Sequence, residues 1–146
     1  MIDGEYMTAS KAYEEYKKTQ IETASQGKLV LMLYDGVIKF CHQAIDAIKT
    51  KKYDKANNAI IRAEDIITEL LLALDYDKGK DIAKKLASIY VYLNQQLLEA
   101  NITKTIEPIE LVIKLMGELR ESWEKILQKF PGQSEPSQNG GLNISG

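Results

Sequence analysis

The sequence predicts an all-α protein, an antiparallel up-down four-helix bundle. Apolar residues recur every three or four positions through four long segments, which is the spacing of one helix face. Connections of only a few residues join these segments, and short connections make successive helices antiparallel neighbours. No segment alternates apolar and polar residues as a half-buried strand does.

The first segment, residues 26 to 50, carries two adjacent apolar stripes rather than one. They consist of Val30, Leu33, Val37, Phe40, Ala44 and Ala47, and of Leu31, Tyr34, Ile38, Cys41, Ile45 and Ile48. Only a narrow polar edge remains, so most of the circumference of this helix needs cover. Two neighbouring helices of the bundle could supply it, or part of it could belong to a bound partner. The sequence alone leaves both open.

Each of the other three segments carries one unbroken apolar stripe. They span residues 53 to 75, 80 to 101 and 107 to 129. We expect Gly79 to break the chain before the third helix and Asn101 to cap the end of that helix.

The two ends of the chain are expected to lie outside the bundle, which spans residues 26 to 130. The tail, residues 131 to 146, is rich in Gly, Ser, Pro, Gln and Asn, which predicts disorder. Residues 1 to 25 are different, because Tyr13 and Tyr16 belong to a short amphipathic arm with an aromatic face. An arm of this length does not hold a helix alone, so we expect it to dock on a surface.

Composition excludes several classes of function. Charged residues are 27% of the 146 and the hydrophobic set is 45%, as in a soluble globular protein. The net charge of -2 argues against nucleic-acid binding. One cysteine excludes an internal disulfide, and no apolar run approaches the ~20 residues that span a bilayer. The N-terminus has no basic flank before an apolar core, so we expect a cytoplasmic protein without membrane insertion.

Catalytic and metal-binding patterns are missing from the sequence. His42 is the only histidine, so di-iron and zinc ligand sets cannot form. Cys41 lies within an apolar stripe and is expected to be a buried structural thiol. We therefore predict no enzyme and no cofactor. Two alternatives stay open at this point, a phosphotransfer module that uses His42 and a structural bundle that forms homodimers.

The order and spacing of short motifs resemble the flagellar secretion chaperones, the FliS family, from about residue 12 to residue 127. The matching motifs are Ala12-Tyr13-Glu14-Glu15-Tyr16, Thr23-Ala24-Ser25, Leu33-Tyr34-Asp35-Gly36, Ile66-Ile67-Thr68-Glu69-Leu70, Leu74-Asp75, Ile82-Ala83 with Leu86, Tyr90-Val91-Tyr92, Leu98-Glu99-Ala100-Asn101 and Leu119-Arg120-Glu121-Ser122-Trp123. The resemblance implies a helical bundle that binds the C-terminal segment of flagellin and prevents its premature polymerisation. It also implies delivery to the cytosolic domain of the flagellar export gate, with no cofactor and no catalysis.

Surplus apolar residues suggest where such a partner would bind. Those off the main stripes are Ile61, Leu71, Leu72, Ile82, Ile89, Val91, Tyr92, Leu98, Ile113 and Leu115, enough for a continuous groove. We expect the arm to cover this groove in the free, monomeric protein until flagellin displaces it. The candidate partner-binding residues are Tyr13, Tyr16, Ile21, Leu31, Tyr34, Ile38, Cys41, Ile45, Tyr90 and Leu97. Which of those on the first helix are core and which are groove stays open.

Overall fold

The computed structural model describes residues 26–129. The predicted arm and the predicted tail lie outside these residues. Four helices account for almost all of the described chain: α1 (Gln26–Lys49), α2 (Tyr53–Leu72), α3 (Tyr76–Thr103) and α4 (Glu107–Lys129). The all-α prediction is confirmed.

The helices pack as a closed ring. Helix α1 lies against both α2 and α4, and α3 lies against the same two helices from the other side. Each helix therefore runs antiparallel to the next along the chain, as the short connections require. The four-helix bundle predicted from the sequence is confirmed.

The core is built from the predicted stripes of all four helices. Its largest fully buried side chains are Tyr34, Tyr90, Ile60, Ile67, Leu70, Leu93, Leu97, Ile109, Met116, Val30 and Val37. Small residues let neighbouring helices approach, and Ala44 of α1, Ala56 and Ala63 of α2 and Ala100 of α3 have no exposed surface. No helix among residues 26–129 is long and apolar enough to cross a membrane.

The start of α3 differs from the prediction. The helix begins at Tyr76 rather than near residue 80, with Asp75 as its N-cap, whose Oδ1 accepts a hydrogen bond from the Lys78 N–H at 3.0 Å. The break falls at Lys80, one residue after Gly79, where φ is 46° and ψ is -119°. A short first segment and the long regular helix therefore meet at a kink.

The end of α3 also differs. Asn101 does not cap the helix, because the helix continues to Thr103 and Lys104 is the C-cap in the left-handed conformation. Asn101 instead donates from Nδ2 to Asn57 Oδ1 of α2 at 2.8 Å. Its Oδ1 accepts a hydrogen bond from Lys104 Nζ at 2.7 Å. The amide of Asn101 thus joins α3 to α2 and to the following loop.

Candidate partner-binding site

A chain of buried polar groups fixes α1 between α3 and α4. The indole Nε1 of Trp123 donates to the Tyr34 hydroxyl at 2.6 Å, and the hydroxyls of Tyr34 and Tyr90 lie 2.7 Å apart. All three side chains belong to the core. Burial is the main cause that raises the pKa of Tyr90, and the neighbouring Tyr34 adds to it. Tyr90 is therefore a neutral hydrogen-bonding partner rather than a charged one.

The predicted partner-binding residues fall into three groups. Tyr13, Tyr16 and Ile21 lie outside the described residues. Leu31 and Ile38 are partly buried against the core, so their edges reach the surface. The remaining five, which are Tyr34, Cys41, Ile45, Tyr90 and Leu97, are buried in the bundle. On α1, the candidate residues Tyr34, Cys41 and Ile45 therefore belong to the core, whereas Leu31 and Ile38 lie at its edge. The partner-binding role of all ten residues stays a prediction.

The surplus apolar surface of the described chain lies mainly on α2 and α3. Neighbouring helices cover or partly cover both stripes of α1. By contrast, large hydrophobic side chains stand exposed on the outer face of the α2–α3 pair, namely Ile61, Leu72, Val91, Leu98 and Ile102. The double stripe of α1 is thus used mostly inside the bundle, and the exposed groove is built elsewhere.

A groove of about 450 Å³ runs between α2 and α3 and is called the α2–α3 groove here. It is lined by Glu64, Asp65, Thr68 and Leu71 of α2 and by Val91, Asn94, Gln95 and Leu98 of α3. Val91 and Leu98 are 43% and 54% exposed. They lie seven residues apart on one face of α3, as do the contact residues of a helix that packs against another helix.

Helical spacing extends the apolar surface beyond the α2–α3 groove. Ile102 follows Leu98 by four residues and is 73% exposed, so it continues the same face of α3. Ile61 precedes Asp65 by four residues and extends the α2 side in the same way. From Val91 to Ile102 the stripe is roughly 16 Å long, at ~1.5 Å per residue. That length suits about three turns of a partner helix.

The centre of the α2–α3 groove is polar. Asn94 donates from Nδ2 to Thr68 Oγ1 at 3.2 Å, which links the two helices. The Asn94 Oδ1 is buried and has no hydrogen-bond partner within residues 26–129. Burial and the neighbouring Asp65 raise the pKa of Glu64. Two carboxylates beside an apolar floor favour a partner segment that is apolar on one face and basic at its edge.

The sequence predicts part of this site. It marked Val91 and Leu98 as apolar residues off the main stripe of α3, but it did not single out Ile102 as groove. The signal was present, because Val91, Leu98 and Ile102 are separated by seven and four residues and share a face. The contribution of Glu64 and Thr68 needed the packing of α3 against α2 and could not be read from α2 alone.

The cysteine and the histidine of the described chain differ in burial. Burial raises the pKa of the Cys41 thiol to about 12, so it stays protonated and unreactive near neutral pH. His42 is exposed on α1. Within residues 26–129 no group of three His, Cys, Asp or Glu side chains is arranged to hold a metal ion.

A helical bundle with an exposed apolar groove and an acidic edge has the kind of surface on which amphipathic helices of other proteins dock. Residues 9–130 of the chain match the family described as Flagellar protein FliS. The chain is 32% identical over 120 residues to the flagellar secretion chaperone FliS of Campylobacter jejuni, covering 82% of this chain and 94% of the relative. It is 29% identical over 122 residues to the protein of that name from Bacillus subtilis, with coverage of 84% and 90%. Against the Salmonella typhimurium protein it is 31% identical over 121 residues, with coverage of 82% and 90%. The chain belongs to the FliS family of flagellar secretion chaperones.

Proposed function

We propose that this protein is a cytosolic export chaperone that binds the C-terminal helical segment of flagellin in the α2–α3 groove. Binding prevents premature polymerisation, and the complex is delivered to the cytosolic domain of the flagellar export gate. The observation that carries the proposal is the exposure of Val91, Leu98 and Ile102 on one face of α3 in a chain of this family. Monomeric proteins rarely expose such a stripe unless something binds it.

The groove chemistry sets the mode of binding. An incoming helix places its apolar residues at i, i+4 and i+7 against Leu71, Val91 and Leu98. Basic side chains at the edge of that helix pair with Glu64 and Asp65. The apolar contacts supply most of the affinity, and the carboxylates select orientation and partner.

The N-terminal arm acts in this proposal as a placeholder. Tyr13 and Tyr16 occupy the apolar surface in the free protein, because tyrosine buries a large ring and keeps its hydroxyl in water. The flagellin segment then displaces the arm. A chaperone that covers its own groove stays monomeric until the cargo arrives.

The test is isothermal calorimetry with a peptide covering the C-terminal helical segment of flagellin. We expect a 1:1 complex with the full chain. Leu98→Ser and Ile102→Ser should weaken it about 10–100-fold, the range of 1–3 kcal/mol for a hot-spot side chain. Both side chains are exposed, so folding should be retained. Ile126→Ser is the matched control, because Ile126 is an exposed isoleucine of α4.

Three outcomes contradict parts of the proposal. If the wild-type chain and the peptide give no heat of binding and do not co-elute, the proposal that the protein binds flagellin is wrong. Light scattering of the same sample then shows whether the protein forms a homodimer. Full affinity in Leu98→Ser with loss in Ile126→Ser moves the site to α4. A chain lacking residues 1 to 20 should bind the peptide more tightly, and unchanged affinity removes the placeholder role of the arm.

A further inference from the structure

A second groove lies on the other flank of α2, against α1, and is called the α1–α2 groove here. Its volume is about 600 Å³. It is lined by Phe40, Gln43, Asp46 and Ala47 of α1, by Thr50 and Lys52 of the connecting loop, and by Lys55, Asn58, Ala59 and Arg62 of α2. It shares no lining residue with the α2–α3 groove. The two grooves are therefore separate features of the surface.

The charge of the α1–α2 groove is opposite to that of the whole chain. Lys52, Lys55 and Arg62 face a single carboxylate, Asp46, whereas the chain has a net charge of -2. Among residues 26–129, none of these three cations forms an ion pair with a carboxylate. The N-terminus of α2 has no side-chain cap at Lys52, and Asp54 in its first turn offsets the positive potential of the helix end, so the three cations alone make the groove positive. The groove thus concentrates positive potential on a protein that is otherwise acidic.

The guanidinium of Arg62 is positioned by the ring of Phe40. Its guanidinium carbon lies 5.6 Å from the centroid of the Phe40 ring, and Lys39 Nζ lies 5.9 Å from the same centroid. A guanidinium stacked on an aromatic face keeps its edge donors free, and that fork matches a carboxylate in two parallel hydrogen bonds. Less side-chain entropy is lost on binding, because the ring already restricts Arg62.

The shape of the groove fits a short helix. Ala47 and Ala59 form a shallow floor between Phe40 and Thr50, so the side chain of a partner can approach the backbone of both helices. Lys52, Lys55 and Arg62 are spaced by three and seven residues and share one helix face. Each wall extends over roughly 15 Å, at ~1.5 Å per residue, which is two to three turns of a helix.

From these observations we infer that the α1–α2 groove binds an acidic amphipathic helix of a protein partner other than the flagellin segment. Carboxylates of that helix pair with Lys52, Lys55 and Arg62, while an apolar residue rests on Phe40, Ala47 and Ala59. The apolar floor and the amides of Gln43 and Asn58 suit a peptide better than a nucleic-acid backbone.

The test uses a fluorescent helical peptide with glutamates at i, i+3 and i+10 and leucine at i+6, and a matched peptide with glutamines. The full chain should bind the glutamate peptide at least tenfold more tightly, with affinity that falls as salt rises. Lys55→Glu with Arg62→Glu should reduce that affinity by more than tenfold. Lys84→Glu with Lys85→Glu is the control, since it changes the net charge equally on the exposed face of α3. Circular dichroism checks that both double variants fold.

Each contrary result is distinct from failure of the proposed function. Equal losses in the two double variants would mean unspecific attraction between charges and would overturn the inference. So would equal binding of the glutamine peptide, or tighter binding of polyuridylate RNA or anionic vesicles that depends on Lys55 and Arg62. The flagellin peptide should bind Lys55→Glu/Arg62→Glu as it binds wild type, because its groove lies on the other flank of α2. Loss of both peptides together would contradict two separate sites.

Discussion

The hydroxyl of Tyr34 joins three helices, since it accepts from Trp123 of α4 and lies beside the hydroxyl of Tyr90 of α3. The exposed pair of Arg120 and Asp35 also links α4 to α1, with Nε and Oδ1 2.5 Å apart. An exposed pair contributes only about 0–1 kcal/mol, whereas a buried donor left without its acceptor costs about 1–3 kcal/mol. The buried chain is therefore the stronger tie between α1 and α4.

We expect Tyr34→Phe to lower the free energy of unfolding by about 1–3 kcal/mol, because the buried indole N–H of Trp123 loses its acceptor. Tyr92→Phe is the matched control on α3, where the side chain is 41% exposed, and should change stability by less than about 0.5 kcal/mol. Urea unfolding of the three proteins measures both effects.

The same pair of variants also tests the predicted binding role of Tyr34. If Tyr34→Phe keeps full stability but lowers the affinity for the flagellin peptide, Tyr34 contacts the bound partner. Loss of stability with unchanged peptide affinity assigns it to the core alone.

At the scale of the helices, the kink of α3 places a side chain where glycine is favoured. Lys80 has φ of 46° and ψ of -119°, a region that costs an L residue on the order of 1–3 kcal/mol. Gly79 lies one position earlier and is buried. The kink therefore separates the first turn of α3, which follows the loop from α2, from the long regular part of the helix.

Lys80→Gly should raise the free energy of unfolding by about 1 kcal/mol, since relief of strain outweighs the larger entropy of glycine in the unfolded chain. Lys84→Gly is the matched control, because Lys84 is exposed in the regular part of α3, and it should cost about 1 kcal/mol. Denaturant midpoints at equal slope give both values. If both glycines destabilise the protein alike, residue 80 has ordinary helical conformation.

The bounds of the helices could be predicted from the sequence where periodicity and chain breaks agree. The start of helix α4 matches its prediction at residue 107, because an apolar stripe and Pro108 in the first turn indicate the same start. The predicted start of α3 was wrong, because a glycine at position 79 indicates a break in the helix but does not indicate which neighbouring residue has the positive φ. The predicted end of α3 was wrong, because the Asn101 side-chain amide donates a hydrogen bond to Asn57, forty-four residues away in the sequence, and does not cap the helix.

At the scale of the whole molecule, α2 separates two surfaces of opposite character. The α2–α3 groove has an apolar floor with two carboxylates, and the α1–α2 groove has three cations beside an aromatic ring. The two stripes of α1 correctly indicated that most of the circumference of this helix is covered. They could not show that α2 and α4 cover most of it, because coverage depends on how neighbouring helices approach each other.

The stability of the whole bundle depends on alkaline pH through its buried weak acids. In the unfolded chain the Cys41 thiol ionises from its ordinary pKa of 9.0, whereas burial raises the folded value to about 12. Between these values the unfolded state has released a proton that the folded state keeps, so rising pH favours unfolding. The raised pKa of Tyr90 acts in the same direction above its ordinary value of 10.0.

We expect that Cys41 causes no pH dependence of the free energy of unfolding below pH 9. From pH 9 to about 12 this thiol should lower it by up to about 1.4 kcal/mol per pH unit. Cys41→Ala removes the thiol contribution, so its alkaline slope should be shallower by that amount even though the cavity lowers its stability at pH 7. Urea unfolding in reducing buffer at pH 8, 9, 10 and 11 measures the two slopes. Parallel curves for wild type and Cys41→Ala would mean that Cys41 ionises as freely in the folded protein as in the unfolded one, and the thiol would then be open to solvent.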